Sequence, residues 1–356
     1  ITPNRAEARC AFGVACDLAA SGMGTVNDGR VALIEGKFKS PKTVALNFTP
    51  ETANACPIFA GRMIRNVKNG PSPKWVQEKL KAVGLRPISA LVDVTNLIAH
   101  DRGRPLHVFD ADKLTGNLQA RLAKDGETIK TLDGKSYTLD STMTVIADER
   151  GAHGIAGVMG GEETGCTETT TNVFVESAWF DPLRTAATGR KLGIVSDARY
   201  RFERGVDPDF VLPGLELATK LILEFCGGEP SDIVVAGSAP DLAKTIAFVP
   251  DAVKRLGGLD VPRAEIATIL SNLGFAIEDE DPMQVTTPSW RSDVTGPADL
   301  VEEVVRIYGL NKVPSAPMKR PHAVAHATLT SAQKRTRLVR RGLAARCRLA
   351  FRDGRA

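Results

Sequence analysis

The residues best placed to do chemistry lie in one stretch, Asn172 to Pro208, which reads NVFVESAWFDPLRTAATGRKLGIVSDARYRFERGVDP. Val173, Phe174 and Val175 make a short apolar run of the kind that forms a buried strand, and the run stops on Glu176. A carboxylate there either has an internal cationic partner, with Arg190 and Arg199 the candidates, or faces a cavity and accepts a hydrogen bond from something that comes and goes. Downstream, Arg199, Arg201, Glu203, Arg204 and Asp207 crowd around Tyr200 and Phe202, too dense a mixture of charge and aromatic rings for a plain solvated surface. His107, in RPLHVFD, sits among apolar residues and is either a satisfied structural histidine or one that orients a water. Gly154 to Gly165, GIAGVMGGEETG, has glycines too close together for regular backbone and the wrong spacing for a dinucleotide loop; it reads as a wall where backbone approaches a ligand. No Ser-His-Asp order, zinc-ligand spacing or obvious nucleophile is present.

A second group of charges lies near the other end. At about 100° per residue, Asp299, Glu302, Glu303 and Arg306 share one side of a helix, while Leu300, Val301, Val304, Ile307 and Tyr308 occupy the other. Together with Asp293, these carboxylates near one helix start could hold Mg²⁺, which takes oxygen ligands. The same residues also read as a cap, Asp299-x-x-Glu302, with an ordinary four-residue pair between Glu302 and Arg306.

The elements that must position these groups are partly legible. Asn4-x-x-Glu7 looks like a cap opening a helix with Phe12, Ala15, Leu18 and Ala19 on one face. From Pro57, IFAGRMIRNV reads as a strand, and Ser72 to Val83 as a helix stopped by Gly84. Leu91 to Ile98 fits strand or helix. Asp133-Gly134 marks a hairpin between TIKTL and KSYTL, and Pro213 to Phe225 is an amphipathic helix. Arg263 to Leu273, a hairpin around Asp281-Pro282 and a helix from Asp299 to Tyr308 then suggest a compact unit similar to winged-helix units, whose acidic helix argues against DNA binding. The fold class is therefore α+β and multidomain: a partial N-terminal domain over 1–55, a mixed-sheet domain over 56–237, a small winged-helix-like domain over 242–317 and a basic tail over 318–356.

With 356 residues, 43% apolar and 25% charged, the chain is ordinary globular material. The net charge of +4 misleads: the last 39 residues carry eleven Lys and Arg against one Asp, leaving 35 basic and 41 acidic groups before them, a net of −6. RNA would have to be handled through local patches. Six scattered cysteines without a Cys-x-x-Cys pair fit reduced thiols in the cytoplasm, and nothing suggests a membrane.

The order GRPLHVFD, GVMGGEETG, NVFVESAWF, SDARYRFERGVDP and PSWRSDVTGPADLVEEVVRIYGLNKVP resembles the beta subunit of bacterial phenylalanine–tRNA ligase, over roughly Ile1 to Pro317. The resemblance implies a central fragment of a longer subunit, carrying a domain that edits misacylated Tyr-tRNA(Phe) by hydrolysis, within an ATP- and Mg²⁺-dependent enzyme of two alpha and two beta subunits acting on tRNA(Phe). It implies an editing pocket for tyrosine or phenylalanine with Arg86, Gly160, Glu176 and Ala198 as binding residues and His107, Glu176 and Ser196 at the chemistry. In it an ionised Glu176 accepts the tyrosine phenol, and His107 orients water or contacts the terminal ribose. Ser196 stands where the family commonly has Thr. Asp293, Asp299, Glu302 and Glu303 match its Mg²⁺ positions, shared with the alpha subunit. The tail, ending FRDGRA, departs from the family and is expected to be an altered end with reduced order. Two other readings stay open: a free-standing deacylase acting in trans, and a non-catalytic RNA or protein interaction module whose pocket residues are only core.

Overall fold

A computed structural model describes residues 2–27, 29, 31–317 and 327–347. The chain forms two compact units, Ile1–Val313 and Pro314–Ala356.

The first unit opens with α1 (Ala11–Ala20), which starts later than the Asn4 cap suggests. Cys10 caps it by accepting from the Gly13 N–H, and the buried positions are Gly13 and Ala20, while Leu18 is exposed. After β1 (Val44–Asn47) comes β2 (Ile58–Arg65), the strand expected from Pro57. Helices α2 (Lys74–Ala82) and α3 (Ala90–Arg102) follow; α3 is the segment that periodicity leaves undecided, because it is buried on nearly every side. Next come β3 (His107–Asp110), β4 (Leu118–Leu122), and the hairpin of β5 (Thr128–Lys130) and β6 (Ser136–Thr138) around Asp133-Gly134. The glycine-rich segment is more regular than expected. It contributes to β8 (Ala152–Ile155) and forms β9 (Met159–Gly160), beside β7 (Thr144–Ala147), with the turn made at Gly157, whose φ is +68°.

The apolar run ending in Glu176 is the centre of β10 (Val173–Trp179), buried along its whole length. Helices α4 (Pro182–Leu192), α5 (Asp197–Phe202) and α6 (Val211–Cys226) lead to short strands β11 (Glu229–Pro230) and β12 (Val234–Gly237). One sheet has the order β11-β2-β10-β3, with β12 also on β2; the other runs β1-β4-β7-β8-β9. Alternation along β10 assigns its two faces. Val173, Val175, Ser177 and Trp179 share the α6 side, where the Ser177 hydroxyl donates to the Val211 carbonyl at 2.7 Å. Phe174 and Glu176 turn the other way, toward the second sheet, and one apolar core joins Phe109 and Phe174 to Leu118, Ala120 and Ile146. Each ring buried there contributes about 2–3 kcal/mol.

The small α+β unit has its own core. Strands β13 (Thr245–Phe248), β14 (Ala276–Glu278) and β15 (Met283–Thr286) pair in the order β13-β15-β14 against α7 (Asp251–Gly257), α8 (Arg263–Asn272) and α9 (Pro297–Tyr308). In the second compact unit, α10 (Ser331–Cys347) begins with a reciprocal cap in which Thr330 Oγ1 accepts from the Gln333 N–H and Gln333 Oε1 accepts from the Thr330 N–H. The remaining tail expectations, on 318–326 and the FRDGRA end, lie outside the described residues. Among the described residues no helix is long and apolar enough to cross a membrane, and Cys10, Cys16, Cys56, Cys166 and Cys226 are free thiols.

Candidate active site

Strand register brings the two candidate reactive groups together. Glu176 on β10 lies directly opposite His107 on β3, so both side chains leave the same face. On its other flank Glu176 faces Gly61 of β2, which offers no side chain. Across the gap, β9 presses its backbone against His107: a Cβ at Gly160 would sit 2.3 Å from the ring's Cε1. The space left is a cavity of about 70 Å³ lined by His107, Gly154, Met159, Gly160, Glu176 and Ala198, with Phe180 and Phe202 beside them. A void of that size admits water as it stands; an aromatic ring enters only if a side chain such as the flexible Met159 turns aside.

Glu176 is 7% exposed, and among the described residues no hydrogen bond or ion pair engages its carboxyl. Arg199, a candidate partner, instead donates to Glu203 at 2.9 Å, and Arg190 is exposed. Burial pushes the Glu176 carboxyl up to about 8. The expectation of an ionised acceptor is corrected by this: near neutral pH the group is chiefly the protonated acid, because the cavity supplies no cation. Burial also pushes His107 down to about 4, so the imidazole is neutral, and its Nε2 is buried without a partner. Its ring stands edge-on to Phe109, centroids 4.3 Å apart, which fixes its plane.

Other predicted residues fall elsewhere. Ala198 lines the cavity from α5, but Ser196 does not. The Ser196 hydroxyl donates to the Val158 carbonyl at 2.5 Å and accepts from the Arg199 N–H at 3.1 Å, so it caps α5 and ties that helix to the glycine-rich turn. Arg86 is exposed on the loop between α2 and α3 and does not line the cavity. Phe180, Phe202 and Met159 were not singled out from sequence as lining residues; they come from three separate segments that only the fold brings together.

The four carboxylates of the small unit are not gathered into a donor set. Arg291 holds Asp293 at 2.8 Å and Glu303 at 3.0 Å, and Arg306 holds Glu303 at 2.5 Å. Asp299 Oδ2 accepts from the Thr295 and Gly296 N–H groups at 2.8 and 3.0 Å, so Asp299 does serve a cap, but as the third residue of a helix capped at Gly296 rather than as the cap of an Asp299-x-x-Glu302 pair. The partner of Arg306 on α9 is Glu303 rather than Glu302, and Glu303 is buried, not solvent-facing. Arg306 also reaches Asp17 of α1 at 3.0 Å, and Arg5 reaches Asp17 at 2.9 Å, so the N-terminal segment closes the network. Burial would raise Glu303, but the arginines reverse the sign and hold it below the usual carboxylate range. Among the described residues no cluster of three or more His, Cys, Asp or Glu side chains could hold a metal ion. Arginine charge already neutralises two of the predicted Mg²⁺ ligands, so the quartet does not fit a cation in this arrangement.

A larger cavity of about 490 Å³ lies between the N-terminal segment, Gly205–Asp207 and the small unit, lined in part by Phe12, Phe210 and Trp290. It lacks the paired histidine and carboxyl, so the smaller cavity is the better candidate for ester chemistry.

The family model of the B3/4 domain matches residues 55–227 and that of the tRNA synthetase B5 domain matches residues 246–310. It is 56% identical over 347 residues to the phenylalanine–tRNA ligase beta subunit of Paramagnetospirillum magneticum, covering 97% of this chain and 43% of that one. Against the beta subunit of Nitrobacter winogradskyi it is 54% identical over 347 residues, covering 97% and 42%. The chain belongs to the phenylalanine–tRNA ligase beta-subunit family, and it spans 43% or less of the length of these two curated relatives. A crystal structure of an N-terminal fragment of the Pyrococcus horikoshii beta subunit aligns over 86% of this chain and 84% of that chain, at 16% identity and a TM-score of 0.41, too distant to bear on the site.

Proposed function

We propose that this chain is the central part of a phenylalanine–tRNA ligase beta subunit and that its B3/4 cavity hydrolyses Tyr-tRNA(Phe). The observation that carries the reading is the unpartnered carboxyl of Glu176 beside a neutral His107, opening on a cavity walled by Gly160. A synthesis pocket shaped for phenylalanine rejects the added hydroxyl of tyrosine only weakly, roughly a hundredfold by analogy, so a second site must welcome that hydroxyl. A buried carboxyl does so. Protonated, it offers one donor and one acceptor to the phenol; when phenylalanine enters, both stay unmet at a cost of about 1–3 kcal/mol. A phenol donating to the carboxyl also favours its ionised form, so tyrosine should draw the Glu176 pKa down.

His107 stands across the register pair from Glu176 and can hold the attacking water at Nε2. A neutral imidazole depressed by burial is a weak base, so its part is to orient the water, and the geometry of the bound ester supplies most of the acceleration. Ser196 and Ala198 act as positioning residues, one anchoring α5 and the other keeping the cavity wall small. In this reading the complete enzyme is cytoplasmic, joins two alpha and two beta subunits, and forms Phe-tRNA(Phe) from phenylalanine, tRNA(Phe) and ATP with Mg²⁺. Hydrolysis in the cavity draws only on this chain's own groups and a water.

The test is deacylation of Tyr-tRNA(Phe) and Phe-tRNA(Phe) by the full enzyme carrying Glu176→Ala. The preference for the tyrosyl ester is expected to fall roughly 5- to 150-fold; unchanged selectivity refutes the role.

A further inference from the structure

The dense run after Ser196 contains a second arrangement that the cavity does not use. On the outer side of α5 the guanidinium of Arg204 lies 4.1 Å from the centroid of the Tyr200 ring, and that of Arg9, from the N-terminal segment, lies 4.6 Å from it. Tyr200 is 41% exposed. Arg199 and Arg201 flank it on the same helix, and the nearby acids are too few: Glu203 serves Arg199 at 2.9 Å and Arg204 at 2.6 Å, and Asp197 serves Arg201 at 3.2 Å. Among the described residues no carboxylate pairs with Arg9. Glu7, its nearest acid, is engaged by Arg5 at 2.5 Å.

An aromatic face holds a guanidinium without neutralising it or consuming its N–H donors. The Tyr200 ring therefore gathers two cations that would otherwise repel each other; Arg204 commits Nη1 to Glu203 and the Tyr200 carbonyl, and Arg9 reaches the Thr2 carbonyl at 3.5 Å through Nη2, while among the described residues no hydrogen bond engages Arg204 Nε or Nη2 or Arg9 Nη1. Burial and then the proximity of Arg204 and Arg201 push the Arg9 guanidinium below its ordinary range, with Glu7 opposing them, so the cations here outweigh the anions beside them. A phosphodiester supplies what is missing, a charge matched to the guanidinium fork. The position has a consequence as well. Ala198 and Phe202 line the cavity from one side of α5, while Tyr200 projects from the opposite side, about 10 Å across the helix.

We propose that Arg9, Tyr200 and Arg204 form a phosphodiester-binding site that grips the acceptor end of the tRNA behind the cavity wall, holding the RNA while its esterified terminus reaches the cavity. This deepens the editing reading and rests on it for the identity of the RNA.

The test uses the complete enzyme with the double substitution Arg9→Ala and Arg204→Ala. Equilibrium binding of uncharged tRNA(Phe), measured between about 50 and 200 mM salt, is expected to weaken tenfold or more, with the slope of log K against log salt shallower by about 2. The KM for Tyr-tRNA deacylation is expected to rise with it at nearly unchanged kcat, whereas hydrolysis of the tyrosyl ester of adenosine, which has no phosphodiester, stays as in the parent. The pair Arg9→Lys and Arg204→Lys should restore the salt slope. An unchanged tRNA affinity and slope overturns the proposal, as does an equal loss on both esters, which would mark a structural role. Loss of subunit assembly in place of RNA affinity would assign the patch to an acidic protein surface and also overturn it. Because uncharged tRNA binding does not involve Glu176, failure of the editing reading shows separately, as unaltered selectivity in Glu176→Ala.

Discussion

Two buried glutamates divide this molecule. Glu176 lies between two sheets with no cation beside it, and its carboxyl is pushed up to about 8; Glu303 lies under Arg291 and Arg306 and is held below the usual range. Their burial is similar, 7% and 2% exposed, so depth does not separate them. The partner does. A carboxylate enclosed by guanidiniums is finished structure, bonding α9 to Arg291 and, through Arg306 and Asp17, to α1. A carboxyl enclosed by apolar walls and glycine backbone is unfinished, and a ligand that can hydrogen bond completes it.

The largest effect expected from this contrast is at Arg291. Arg291→Met leaves Glu303 and Asp293 partly uncompensated, and chemical denaturation should show a loss of about 3–5 kcal/mol; a change below 1 kcal/mol would mean the network is ornamental. The second lies in the pH dependence of stability. Glu176 titrates at about 8 when folded, against an ordinary 4.5 when unfolded, so the unfolded chain loses this proton first. Stability from this group is therefore greatest below about 4.5 and is lost as pH rises toward 8. Glu176→Gln removes that loss. Its stability relative to the parent should grow by about 2–3 kcal/mol from pH 5 to pH 7, and a flat difference would put a hidden cation beside Glu176.

Smaller effects separate wall from anchor. At Gly160→Ala the new methyl meets the His107 ring, so hydrolysis of tyrosyl and phenylalanyl esters should both fall at least tenfold, with a stability loss of about 1–3 kcal/mol. Ser196→Ala removes a helix cap and should cost about 1 kcal/mol, lowering hydrolysis of both esters in equal proportion. A selective loss for one ester would return Ser196 to the reacting centre.

Much of this arrangement was legible in the sequence, for identifiable reasons. The β10 run, the Asp133-Gly134 hairpin and the apolar side of α9 follow from local periodicity and turn chemistry, and all are present. The depth of Glu303 was not legible, because a helical projection gives angle and not distance, and of the three arginines around it only Arg306 lies on the same helix, while Arg291 and the more distant Arg5 come from elsewhere in the chain. The capping role of Ser196 was hidden for a related reason: it depends on α5 beginning at Asp197, and a helix of six residues is too short to show a period. α1 was misphased because Cys10, a weak cap by composition, starts it. The Glu176–His107 pairing needed the register of strands far apart in the chain, and neither the run around His107 nor the one around Glu176 contains it.

The most direct test is a crystal structure of the full enzyme with tyrosine. The phenol oxygen is predicted within about 2.6–3.2 Å of a Glu176 carboxyl oxygen, with the ring against the Gly160 backbone and Met159 displaced. Tyrosine in the larger cavity by Trp290, or in the smaller one with its hydroxyl turned away from Glu176, would contradict the account.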